Sequence, residues 1–299
     1  MNVLDIISLK KKYKNFQLDI NLNIKEGEFV ALIGPNGTGK STTIGIILNM
    51  VQKDSGDIRI FGKDHIKYEA EIKERMGIIL EEQYFYRDIK INSIIKFYSK
   101  FYPKWDWKKV KELREKFELK DNKKFKELSK GMKVKLSFII ALSTGASFYL
   151  FDEPTSGLDP AVRHLLLTEV QELKKNKNIS LLFTSHIMSD IEYFSDRVVF
   201  INKGGIILDE SMETLKNNWK KLVFKSSENI DFGEIKKSLF KVKKTGDVYS
   251  VIIKKNSLSV EEKMKNQIGE TVKAENLSLN ELFIEIVNIE DKAFSLELS

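Results

Sequence analysis

At 299 residues, with 42% hydrophobic and 31% charged side chains, the chain has a globular composition and the length of two unequal domains, which excludes a disordered or fibrous protein. It has no cysteine, so a disulfide scaffold, a thiolate metal site and a cysteine nucleophile are excluded. The net charge of +7 comes from 50 basic and 43 acidic residues, but only six of the basic residues are arginine, so the lysines read as solvated surface and no nucleic-acid partner is expected.

The first apolar patch, Val3 to Leu9, is interrupted by Asp5 and runs into Lys10, Lys11 and Lys12, so no signal peptide is expected. Phe16, Leu18, Ile20, Leu22 and Ile24 alternate with polar residues, the period of a half-buried antiparallel strand. Phe29 to Ile33 is instead a continuous apolar run, as a strand buried on both faces requires. Similar runs recur at Phe148 to Phe151, Ile179 to Thr184 and Val198 to Ile201, mostly with helical stretches between them. The alternation predicts an α/β fold around a largely parallel sheet.

From about 88 to 146 the pattern turns helical. Asp106 is placed to cap a helix with Trp107, Val110, Leu113 and Phe117 on one face. Between Lys96 and Glu127 there are 12 basic and 6 acidic residues, so most of the net charge lies in this insert. The longest uncharged run, Leu136 to Phe151, has 16 residues and falls short of the roughly 20 that a spanning helix needs. After about 214, strand candidates at Lys221 to Lys225, Tyr249 to Lys254 and Thr271 to Ala274 alternate with helices, which predicts a small α/β domain over 215–299. Its last helix puts Leu279, Leu282, Phe283 and Ile286 on one apolar face.

Three segments carry chemistry. Gly34, Pro35, Asn36, Gly37, Thr38, Gly39, Lys40, Ser41 and Thr42 follow a buried strand and open a helix, matching the phosphate-binding loop G-x4-G-K-[ST]. Glycines let the backbone curl so that successive N–H groups face a phosphate. Lys40 is placed to reach the β- and γ-phosphates, and Ser41 to ligate Mg²⁺. Next, the strand Phe148 to Phe151 delivers Asp152 and Glu153 at its C-terminal end, the edge where ligands bind in such sheets. Asp152 suits holding Mg²⁺, and Glu153 suits polarising an attacking water. His186 leaves another apolar strand at the same edge and is a candidate sensor of the γ-phosphate.

Leu128-Ser129-Lys130-Gly131-Met132 opens a helix and completes an ordered set with Ser156-Gly157-Leu158-Asp159 and His186. Over residues 1 to about 214 this set resembles the ATP-binding cassette (ABC) ATPases. The resemblance implies a P-loop NTPase fold with a parallel-sheet core, an antiparallel β subdomain and a helical subdomain near 88–146, in an ATP-binding domain over 1–214. It further implies that Tyr13, 27 residues before Lys40, stacks on adenine. By the same resemblance, Ser129 and Gly131 would approach the γ-phosphate of a second subunit, and Asp159 would lie in the loop that crosses the dimer interface.

Two departures narrow the resemblance. Lys130 and Met132 replace the third and fifth residues of the usual L-S-G-G-Q, and Gly77-Ile-Ile-Leu-Glu81 ends in glutamate where a glutamine would approach Mg²⁺, with Gln83 two residues on. Both look like ATPases of bacterial ABC-2-type exporters. The Phe101 to Asp106 insert and the length are similar to Gram-positive subunits encoded with GntR-type regulators, a group that includes the phenol-soluble modulin exporters. The resemblance thus implies an ATP-hydrolysing subunit at the cytoplasmic face of the membrane, paired with a second ATPase subunit and with separate membrane-spanning subunits. An importer ATPase, or a soluble cassette ATPase acting on ribosomes or DNA, is the alternative.

Overall fold

The computed structural model describes residues 1–82, 85–120, 123–227, 229–230, 232–233, 239–254, 262–264, 266 and 272–291. The chain divides into two compact units, Met1–Asp209 and Glu210–Ser299.

In the first unit, strands β1 (Asn2–Tyr13) and β2 (Phe16–Lys25) form an antiparallel hairpin, followed by β3 (Phe29–Ile33) and helix α1 (Lys40–Ile47). Strands β4 (Ser55–Ile60) and β5 (Lys63–Asp64), helix α2 (Glu69–Lys73) and strand β6 (Met76–Ile79) come next. Three helices follow: α3 (Ile91–Tyr98), α4 (Trp107–Lys116) and α5 (Lys130–Leu142). Strand β7 (Phe148–Phe151), helix α6 (Pro160–Lys174), β8 (Ser180–Thr184), α7 (Met188–Phe194), β9 (Arg197–Asn202) and β10 (Gly205–Ser211) complete it.

Two sheets result. One has the order β2-β1-β4-β5, with antiparallel pairing throughout. The other has the order β10-β9-β3-β8-β7-β6, and β6, β7, β8, β3 and β9 run parallel. The alternation read in β2 is real: Leu18, Ile20, Leu22 and Ile24 are buried and the residues between them exposed. Every residue of β3, β7 and β8 is buried, as their unbroken apolar runs require. One apolar cluster, including Leu18, Ile20, Val30, Ile44, Phe148 and Val199, fills the space between the sheets and α1.

In the helical segment Asp106 does cap α4, its side chain accepting from the Lys109 N–H at 2.9 Å. Val110, Leu113 and Phe117 are buried, but Trp107 is 52% exposed, so the expected apolar face begins at Val110. Trp107 is the first residue of the helix and packs edge-on against Trp105, with centroids 5.8 Å apart. The α4 helix is tied to α6 by Glu169, buried and ion-paired to Lys116 and, at 3.3 Å, to Lys109.

The second unit holds helix α8 (Met212–Asn218) and strands β11 (Trp219–Lys225), β12 (Leu239–Thr245), β13 (Val248–Lys254) and β14 (Lys273–Asn276). They form an antiparallel sheet of order β12-β13-β11-β14. Leu222, Phe224, Tyr249, Val251, Ile253, Met264 and Val272 make its core, with Phe224 and Tyr249 stacked at 5.2 Å. Strand β12 was not among the expected strands. Its lysines Lys241, Lys243 and Lys244 obscure any period, and it lies at the sheet edge, where lysine blunts unwanted pairing. The helix Leu279–Asp291 buries Leu279 and Leu282 as its pattern requires; the side chain of Ile286 lies outside the described residues.

Candidate active site

Because β3, β6, β7 and β8 are parallel, their C-terminal ends reach one edge of the sheet, and each of the expected chemical segments follows one of them. Gly34 to Thr42 follows β3, Glu81 follows β6, Asp152 and Glu153 follow β7, and His186 follows β8.

The loop after β3 is built to leave donors free. Gly39, at φ 111°, is the N-cap of α1 and supplies no side-chain cap, so the first amides of the helix keep their hydrogen-bonding capacity. A Cβ at Gly39 would lie 2.9 Å from the Phe16 ring and 2.8 Å from Leu18, so only glycine fits. Thr38 braces the loop by donating to the Pro35 carbonyl at 2.8 Å, and Thr43 donates to the Gly39 carbonyl at 2.8 Å. Asn36, Gly37 and Ser41 are exposed. Lys40 is buried, and its Nζ donates to the carbonyls of Gly34 at 2.7 Å and Pro35 at 3.0 Å. Burial pushes the Lys40 ammonium below its ordinary pKa, while the negative charges of Glu153, Asp152 and Glu81 push it back up. The three carboxylates follow β6 and β7, at the same sheet edge as the loop that carries the lysine.

The two carboxylates after β7 are held by a residue that sequence reasoning passed over. Thr184, the buried last residue of β8, donates its hydroxyl to Asp152 Oδ1 at 2.6 Å and accepts from the Glu153 N–H at 2.8 Å. Glu153 sits at φ 46°, a left-handed conformation that costs a non-glycine residue about 1–2 kcal/mol. Its carboxylate meets His186 Nδ1 at 2.7 Å. His186 is exposed on its far side, so the pair opens to solvent. The segment after Glu153 and the start of α7 are held in turn by Asp190, buried, which accepts from Thr155 Oγ1 and Arg163 Nε at 2.8 Å each.

Mg²⁺ fits the donors present. Asp152 has Oδ1 engaged by Thr184 and Oδ2 without a hydrogen bond among the described residues, and Ser41 offers an exposed hydroxyl in the first turn of α1. No cluster of three histidine, aspartate or glutamate residues suited to a metal exists among the described residues, so a cation here would complete its shell with water and phosphate oxygens. Glu81 is exposed. Gln83, the other residue weighed for its place, lies outside the described residues.

Tyr13 is exposed at the end of β1 and packs on Phe16 with centroids 6.2 Å apart, so it borders the loop through the ring that abuts Gly39. Ser129, Gly131 and Asp159 form a separate group. Ser129 caps α5 by accepting from the Met132 N–H at 3.3 Å, and Asp159 caps α6 by accepting from the Val162 N–H at 3.0 Å. A Cβ at Gly131 would meet only Val162, at 3.9 Å, and one at Gly157 would lie 2.6 Å from Lys130 Nζ, so the two helix starts are neighbours. Among the described residues no hydrogen bond or ion pair joins this group to the loop around Lys40.

Comparison with known proteins agrees with this arrangement. The family model described as "ABC transporter" matches residues 18–156. The lantibiotic transport ATP-binding protein SrtF of Streptococcus pyogenes is 33% identical over 72% of this chain and 96% of its own length. The bacitracin transport ATP-binding protein BcrA of Bacillus licheniformis is 32% identical over 70% of this chain and 69% of its own. A solved ATP-binding subunit of an ABC transporter superposes with a TM-score of 0.65, at 26% identity, over 72% of this chain and 92% of that one. With a phosphate loop, a paired carboxylate end and a histidine gathered on one sheet edge, and with relatives of this similarity, the chain belongs to the ABC transporter ATP-binding family and is an ATPase.

Proposed function

We propose that this ATP-binding subunit powers export, through separate membrane-spanning subunits, of a peptide, drug or lipid-like substrate, from the cytoplasmic face of the cell membrane. The names of SrtF and BcrA, transport proteins for a lantibiotic and for bacitracin, support a peptide substrate, and Lys130, Met132 and Glu81 at the departures from the usual motifs support export over import. The same departures and the Phe101 to Asp106 insert support a place among Gram-positive ABC-2-type subunits, the GntR-associated and phenol-soluble modulin group included.

One observation carries the chemistry: the Glu153 carboxylate lies 2.7 Å from His186 at the edge that also bears Lys40 and Asp152. The uncapped amides of α1 and Lys40 bind the β- and γ-phosphates, and Tyr13 stacks on the adenine. Ser41 and Asp152 would hold Mg²⁺, with Glu81 placed after β6 at the same sheet edge. When bound, the ion neutralises charge on phosphate oxygens. Glu153 orients and polarises a water whose oxygen attacks the γ-phosphorus in line, breaking the bond to the bridging oxygen of ADP. His186 steadies the Glu153 carboxylate and meets the γ-phosphate. Ser129, Gly131 and Asp159 serve the site of a second ATPase subunit, so ATP joins two subunits and hydrolysis parts them.

Glu153→Gln tests this. It should keep ATP bound, lower kcat by about 10²-fold or more and shift to dimer on size exclusion with MgATP. Turnover near the parental rate would refute the role of Glu153. Among the aromatics after Glu81, Tyr84 lies outside the described residues, Phe85 packs on Phe125 at 5.0 Å, and Tyr86 is 82% exposed. By the family resemblance the loop after Glu81 borders the groove that receives a short cytoplasmic helix of the membrane subunit, so Tyr86→Ala should weaken recovery of the membrane subunits with unchanged ATP affinity.

A further inference from the structure

We infer that Asp190 and Thr155 form, with Arg163, a positioning clamp that sets the Glu153–His186 pair, which no hydrogen bond between Glu153 and His186 alone would fix. The inference rests on the proposed role of Glu153 in hydrolysis. Asp190 lies in the first turn of α7, four residues after His186, and is 1% exposed. Its Oδ2 accepts from Thr155 Oγ1 at 2.8 Å, and Thr155 is two residues after Glu153. Its Oδ1 accepts from Arg163 Nε at 2.8 Å and also from Arg163 Nη2, which donates to Ser189 Oγ at 2.6 Å as well.

These contacts close a ring. From Glu153 the backbone leads to Thr155, a hydrogen bond crosses to Asp190, the backbone returns to His186, and a hydrogen bond comes back to Glu153. The backbone at φ 46° sets the direction of the Glu153 Cα–Cβ bond, and the contact with His186 Nδ1 sets the carboxylate, so the loop and the histidine place it together. Arg163 attaches the ring to α6, one turn from the Asp159 cap, so the start of that helix is tied to the pair. Arginine suits this place because its planar fork binds one carboxylate through two nitrogens, which lysine cannot do. Buried and held through both carboxylate oxygens, Asp190 acts through its neighbours and is a positioning residue.

The test compares Thr155→Val, which has nearly the same shape and lacks the donor, with Thr155→Ser, which keeps it. Thr155→Val should lower kcat about tenfold or more with the ATP dissociation constant unchanged, and Thr155→Ser should restore it. Arg163→Lys, which retains the charge but not the fork, should fall between them. A double-mutant cycle of Thr155→Val with His186→Ala should be strongly non-additive, because both break the same ring. Equal kcat for the valine and serine variants, or an additive cycle, would overturn the clamp while leaving Glu153 as the water-polarising group. A Thr155→Val protein that loses melting temperature but keeps parental kcat per folded molecule would reduce the contacts to packing. Loss of turnover in Glu153→Gln alone, with the clamp variants fully active, separates failure of this inference from failure of the wider reading.

Discussion

The two units of this chain spend similar secondary structure very differently. In Met1–Asp209 the central strands run parallel, so the C-terminal ends of β3, β6, β7 and β8 reach one edge, where Leu32 pairs with Thr184 although the two are far apart in sequence. In Glu210–Ser299 the strands run antiparallel, so successive ends alternate between opposite edges and no two loops are forced together. The first arrangement gathers Lys40, Asp152, Glu153 and His186; among the described residues the second gathers apolar side chains such as Leu222, Val251 and Ile253 into a small core. Strand direction, more than composition, decides which half of the molecule carries chemistry.

That contrast can be broken in several ways. The largest effect should come from Lys40→Ala: removing the buried cation from among three carboxylates should cost about 2–5 kcal/mol of nucleotide affinity, enough to abolish binding by calorimetry, with the second unit unaffected. Comparable in size but confined to the other half, Leu282→Ala should remove about 2–5 kcal/mol from the Glu210–Ser299 unit. Its melting transition should fall while the ATP-induced rise in the other transition persists; a joint fall would mean that the two units fold as one.

A smaller loss is expected from Thr184→Val, which orphans the Glu153 amide and frees Asp152 Oδ1, at about 1–3 kcal/mol of stability. Steady-state kinetics should show kcat reduced more than KM is raised. The smallest and most selective change should follow from ending the chain at Asn217. ATP affinity should stay the same, whereas apo self-association by analytical ultracentrifugation should weaken if the second unit helps hold two subunits together; identical association constants would assign that unit to internal packing alone.

Much of this was legible in the sequence because the signals are local. The alternation in β2 and the unbroken runs of β3, β7 and β8 are periodicities within a few residues, and the loop from Gly34 to Thr42 is a contiguous motif. Thr184 and Asp190 were not legible as site residues. Their partners lie 31 and 35 positions away, and a threonine closing an apolar strand reads as an ordinary strand residue until the neighbouring strand is known. The sole hint was that both flank His186, two residues before it and four after. Strand β12 escaped because a lysine-bearing edge strand needs no hydrophobic period, and Trp107 misled because the first residue of a helix is free to turn outward.

The left-handed backbone at Glu153 has a consequence for how this protein can change. A side chain there is held at a conformational cost that only glycine, or to a lesser degree asparagine, relieves. Random variation selected for heat resistance alone should therefore drift toward glycine or asparagine at 153 and yield sturdier proteins that no longer turn over. With the role proposed for Glu153, selection on ATP turnover should instead keep glutamate there, so stability and activity pull this one position in opposite directions.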